Sequence, residues 1–138
     1  MGTGTVEFIG EVVEALEDHS TIQIYPEYCP GLLGISEYSH IIVLYWFHER
    51  DNRRHRETLR VTPRRGRERG LTGVFACRSP SRPNPVGHTV VELLEADGCM
   101  LRVKGLDALQ GSPVIDLKPF MPRSDTVQDA VTPDTIKQ

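Results

Sequence analysis

The chain has 138 residues, enough for one domain with a real hydrophobic core and too few to make a second folded domain the natural expectation. Hydrophobic residues make up 38% and charged ones 25%, which excludes wholesale disorder, and the longest apolar run, Ile41 to Phe47, is far too short to cross a bilayer. The net charge of −3 hides an uneven distribution: residues 50–69 carry nine arginines against Asp51, Glu57 and Glu68, leaving that stretch at +6 and the remainder at −9.

In chain order, residues 5–15 are rich in β-branched side chains and partly alternate, which predicts a strand. Glu17-Asp18-His19 then turns the chain. Ser20 to Tyr25 alternates cleanly, with Ile22 and Ile24 on one face, and forms a second strand that Pro26 ends. Pro30 to Ser36 reads as a turn with room for one helical turn. His40 to His48 is the hydrophobic spine, apolar on both faces, so this strand is expected to be buried on both sides or to close a barrel. The arginine-rich stretch follows as a long connection, with Leu59 to Val61 as a short extended piece. Leu71 to Cys77 is read as a strand, Val86 to Glu95 and Cys99 to Lys104 as a hairpin across Asp97-Gly98, and Pro113 to Leu117 as the last strand. Six or seven short strands make an all-β, β-rich fold the expectation: a small single-sheet barrel with little helix, spanning residues 1–122, and a polar tail over 123–138.

Cys29, Cys77 and Cys99 are odd in number, far apart and without a CxxC pair, which favours free thiols in a reducing, cytoplasmic setting over a disulfide framework or a cysteine zinc site. No leader pattern precedes them. Neither GxGxxG nor GxxxxGK occurs, so a Rossmann site or a P-loop is not supported. The histidines lack metal-helix spacing, and His40 and His48, eight apart on one predicted strand, cannot share an ion there; no metal is expected.

The richest stretch is Gly73-Val74-Phe75-Ala76-Cys77-Arg78-Ser79-Pro80-Ser81-Arg82-Pro83-Asn84-Pro85-Val86-Gly87. Each proline fixes its own φ and pushes the residue before it into extended geometry, so the loop is stiff before any ligand arrives. It holds two arginine forks and several hydrogen-bonding groups at fixed spacing, as an anion-binding loop requires, although a rigid strand connection with solvated arginines has the same composition. The arginine-rich stretch fits a polyanion such as RNA phosphates, with a solvated loop as the alternative. Asp107 in its tight loop can be an Asx-type turn, and Asp116 with Lys118 a surface ion pair.

These residues carry a resemblance. Ser39-His40-Ile41 with the run to Phe47-His48, the proline loop, Val103-x-Gly105-Leu106-Asp107, and Gly111 to Phe120 resemble the TrmO (YaeB, TsaA-like) family over residues 8–122. The resemblance implies a small β-barrel acting as a homodimer, with S-adenosylmethionine as cofactor. It implies methylation of N6 of threonylcarbamoyladenosine at tRNA position 37, with a small-molecule methyltransferase or a non-catalytic RNA- or ligand-binding barrel as alternatives. Carried over, cofactor contacts fall on His48, Glu49, Arg78, His88, Lys104, Gly105, Leu106 and Asp107. The acceptor nitrogen must lose its proton, which makes Asp107, His40, Glu49 and Asp116 the candidate bases. Arg64, Arg65, Arg67, Arg82, Asn84 and Lys118 are the candidate tRNA contacts. The chain departs from the family pattern where Ala15 to Ser20 replaces a Pro-Arg-Gln-like cofactor segment, at His88 (usually Leu or Met) and at Cys77 (usually Thr), and it has no match to the bacterial C-terminal extension.

Overall fold

The computed structural model describes residues 2–64 and 70–133. They fall into two units, one of Met1–Trp46 with Val86–Phe120 and one of Phe47–Pro85 with Met121–Gln138.

The first unit is a closed antiparallel barrel of six strands in the order β1-β2-β7-β6-β3-β8. These are β1 (Gly10–Ala15), β2 (Ser20–Ile24), β3 (His40–Trp46), β6 (Val86–Asp97), β7 (Met100–Lys104) and β8 (Pro113–Pro119). Period-2 alternation turns Val12, Ile22, Ile24, Val91, Leu101, Val103 and Val114 inward, where each is essentially inaccessible to water. Six strands enclose only enough space for such side chains, so the lumen is core rather than channel. On β3 the inward set is Ile41, Val43 and Tyr45, while outward Ile42 is also buried, matching its two apolar faces. Register shifts between Val12 and Glu14, Leu93 and Glu95, and Leu44 and Tyr45 mark the irregularities that bend strands around a tight barrel. The turn from β1 to β2 is short, closed by the Leu16 amide on the His19 carbonyl at 2.9 Å, so no further segment is inserted there.

Cys29 and Cys99 form a disulfide, contrary to the expectation of free thiols. A 3-10 turn at Cys29–Leu32 brings one cysteine up to the β6–β7 hairpin, where Gly98 at φ 62° supplies the left-handed turn next to the other. A spacing of 70 residues gave no sign of this pairing, because only the fold brings the two together. Cys77 is free.

The second unit contains β4 (Arg60–Val61) paired with β5 (Thr72–Gly73), and two short helices, α1 (Arg53–Arg56) and α2 (Pro122–Asp125). The strand expected over Leu71–Cys77 is thus only two residues long. Strand pairing ends at Gly73, and Val74–Ala76 instead makes a 3-10 turn that buries Val74 and leaves Phe75 79% exposed. Part of the long connection is also ordered: the Asn52 side chain accepts from the His55 amide at 3.0 Å and caps α1.

Candidate functional site

On the barrel, register places the candidate residues in rows. His88 pairs with Leu44, and Leu44 with Asp116, so these lie level across β6, β3 and β8. His40 pairs with Glu92, and Glu92 with Lys104, in a second row four residues away along β3, roughly 13 Å. His40 is therefore not gathered with His88 and Asp116. His40 and His88 are exposed, and Ser39 Oγ lies 2.8 Å from His40 Nδ1. Asp116 takes the Leu117 amide on Oδ1 at 2.9 Å and pairs through Oδ2 with Lys118 Nζ at 2.9 Å, as expected of a surface ion pair.

Beyond β7 the chain turns at Gly105, whose φ of 97° is one that a side chain would strain. Leu106 is half-buried and Asp107 exposed. The Asp107 carbonyl accepts a hydrogen bond from the Tyr45 hydroxyl, which rises out of the core and also meets Thr89 Oγ1 at 3.1 Å. Burial pushes the Tyr45 phenol above its ordinary pKa, and the Asp107 charge adds to this against the opposing Thr89 hydrogen bond, so it stays a neutral donor. Among the described residues the carboxylate of Asp107 has no hydrogen bond or ion pair.

In the second unit His48 and Glu49 stand exposed on a 3-10 turn, His48–Arg50. Arg50 and α1 then reach into the proline loop. Arg50 Nη1 donates to Ser81 Oγ at 3.0 Å, and His55 Nδ1 lies 2.7 Å from the same oxygen. Arg56 donates from Nε to the Pro83 carbonyl at 2.8 Å, from Nη2 to Asn84 Oδ1 at 3.5 Å and from Nη1 to Asp51 at 3.0 Å. Arg82 turns back on its own loop, with Nη1 donating to the carbonyls of Ser79 at 2.8 Å and Cys77 at 3.3 Å. Arg82 and Asn84 are thus engaged in bracing the loop. Arg78 is exposed and, among the described residues, has no hydrogen bond or ion pair.

The arginine-rich stretch divides accordingly. Arg50 and Arg56 hold the loop, Arg53 pairs with Glu57 at 3.2 Å, and Arg54, Arg60 and Arg64 present side chains with no partner among the described residues. Arg65 and Arg67 lie outside the described residues. Sequence reasoning missed Tyr45, part of the strand read as hydrophobic spine, and His55, which it did not single out, and it read Arg50 and Arg56 only as charge. Apart from Asp51 beside Arg56, the partners given above lie 26 to 62 residues away in the chain, so no local signal exposes them. No group of three or more metal-ligating side chains occurs among the described residues, and no helix there is long and apolar enough to cross a membrane.

Residues 11–126 match the family described as the tRNA-methyltransferase O N-terminal domain. A probable S-adenosyl-L-methionine-binding protein of Archaeoglobus fulgidus is 52% identical over 110 residues, 79% of this chain and 28% of that protein. The tRNA (adenine(37)-N6)-methyltransferase of Escherichia coli is 40% identical over 101 residues, 70% of this chain and 42% of that enzyme. A crystal structure of TrmO from Pseudomonas aeruginosa superposes with a TM-score of 0.75 at 27% identity, covering 99% of this chain and 63% of the other. The chain therefore spans between about a quarter and two thirds of the lengths of these three proteins.

Proposed function

Because the chain belongs to the family of the tRNA-methyltransferase O N-terminal domain, we propose that it binds S-adenosylmethionine and methylates N6 of threonylcarbamoyladenosine at position 37 of tRNA. The observation that carries this reading is the family match over residues 11–126, with a relative named for methylating adenine 37 of tRNA.

The donor set fits the cofactor's chemistry. Arg78, exposed on a braced loop, can take a carboxylate through both prongs of its fork. Glu49 and Asp107, exposed carboxylates without partners among the described residues, suit ribose hydroxyls or an ammonium. The backbone of Lys104–Asp107 offers further amides and carbonyls at a glycine turn, and His48 and His88 offer exposed imidazoles. When bound, the cofactor supplies an electrophilic sulfonium methyl group. The protein's own share is positioning, exclusion of water and removal of one proton from the acceptor nitrogen.

Of the four candidate bases, Asp116 is engaged with Lys118 and the Leu117 amide, and His40 with Ser39. Glu49 and Asp107 remain unencumbered, and we assign the proton to one of these two. Arg54, Arg60 and Arg64 supply the phosphate-facing charge, with Arg65 and Arg67 extending the same stretch in sequence. A homodimer is part of this reading because the family resemblance implies it. Cytoplasmic tRNA is the corresponding substrate pool.

Calorimetric titration of the chain with S-adenosylmethionine and S-adenosylhomocysteine tests the cofactor half of this reading. Saturable heat with both is expected, and strongly reduced heat for Arg78→Ala. The absence of heat in the wild-type chain would leave a non-catalytic barrel.

A further inference from the structure

The Lys104–Asp107 turn is held at its ends by the barrel. Lys104 belongs to the β7 ladder opposite Glu92, and beyond the turn the Leu109 carbonyl accepts from the Ser112 amide at 3.0 Å. Between these points, residues 105–108 have one hydrogen bond among the described residues, from the Tyr45 hydroxyl to the Asp107 carbonyl.

The direction of that bond is fixed by chemistry. A carbonyl only accepts, so the phenol proton is committed to Asp107. The Thr89 hydroxyl, 3.1 Å from the phenol oxygen, must then donate to it, giving a one-way chain from Thr89 through Tyr45 to the Asp107 main chain. The ring that carries the hydroxyl cannot drift. Tyr45 is 4% exposed, sits in β3 opposite Gly87 on one side and Val114 on the other, and is packed into the barrel core.

From this arrangement we infer that Tyr45 is a positioning residue: a rigid pin from the barrel core that fixes the Asp107 backbone, and with it the direction of the Asp107 carboxylate, for cofactor binding. The inference rests on the proposed role of this turn in holding S-adenosylmethionine. Tyr45 itself does not touch the reacting atoms in this account. It acts through Asp107.

Tyr45→Phe keeps the ring and removes the pin, and Thr89→Val removes the donor that orients it. Titration with S-adenosylmethionine is expected to show roughly tenfold weaker binding for Tyr45→Phe, the scale of one lost buried hydrogen bond, and a smaller loss for Thr89→Val. Adding Thr89→Val to Tyr45→Phe costs little more, because the chain is already broken. A general loss of structure would not give this pattern. It is separated further by hydrogen exchange, which should quicken at the amides of residues 106–108 while those of β3 and β7 keep their protection. Should the wild-type chain fail to bind, the reading of the turn falls and the inference with it. If the wild-type chain binds and Tyr45→Phe binds equally well, the pin alone is refuted. Should Tyr45→Phe not fold, Thr89→Val decides: unchanged affinity together with unchanged exchange over 106–108 overturns the inference.

Discussion

His55 Nδ1 and Ser81 Oγ lie 2.7 Å apart, joining the arginine-rich stretch to the proline loop. Arg50 can only donate to the same oxygen, so Ser81 accepts from Arg50, and the imidazole tautomer sets which of Ser81 and His55 donates across the second contact. Partial burial first, then the charges of Arg50 and Arg54, hold the His55 pKa below its ordinary value of 6.5. A group whose folded pKa is depressed favours the folded state most when deprotonated. Stability is thus full above about pH 6.5 and declines as pH falls from there through the folded-state pKa of His55. Thermal melts of the wild-type chain and of His55→Gln from pH 5 to 8 should differ in slope, with the decline attributable to His55 missing from the variant.

Ser81 is 6% exposed, and its oxygen serves two partners at once. Ser81→Ala leaves Arg50 and His55 facing each other with nothing between them, at a cost of about 1–3 kcal/mol. Because the loop it anchors carries Arg78, cofactor affinity should fall along with stability, measured by titration at a temperature well below the variant's melting point. Arg82→Ala is expected to loosen the same loop by freeing the carbonyls of Cys77 and Ser79.

Arg54, Arg60 and Arg64 present the unpaired positive charge of the stretch among the described residues. Replacing all three with glutamate should weaken tRNA binding at least tenfold and flatten its salt dependence by about two to three units in the log–log slope, with S-adenosylmethionine affinity unchanged. Filter binding across a salt series checks this. Arg50→Ala or Arg56→Ala should behave in the opposite way, damaging the loop before the RNA interface.

Joining Cys29 to Cys99 closes a loop with a sequence separation of 70. The chain-entropy argument sets the stabilisation at about 4 kcal/mol, more than most single side chains supply. Reduction, or the double substitution Cys29→Ser with Cys99→Ser, should therefore lower the melting temperature markedly, whereas Cys77→Ser should do little. Melts with and without reductant test it, and equal midpoints would show that the bridge is not formed in solution.

The barrel was legible because its signals are local. Strict alternation in Ser20–Ile24, the doubly apolar His40–Trp46 and Asp97-Gly98 between two strands each state their structure within a few residues. Leu71–Cys77 misled for the same reason: its apolar composition suits a strand, but ladder pairing ends at Gly73 and the backbone then turns as a 3-10 helix. What composition could not divide was charge. Arg56 and Arg60 look alike in sequence, yet one is bound to Pro83, Asp51 and Asn84 while the other is exposed on β4. The Asp107 turn was visible through its glycine. Its attachment to Tyr45, 62 residues earlier, was not.

Methyl transfer itself is tested by incubating the chain with methyl-labelled S-adenosylmethionine and two forms of one tRNA, with and without threonylcarbamoyladenosine at position 37, followed by nucleoside mass spectrometry. The account predicts label in the modified nucleoside of the first tRNA, at N6, with none in the second and little for Arg78→Ala. Cofactor binding with no label in the modified tRNA, or equal labelling of both forms, would contradict it.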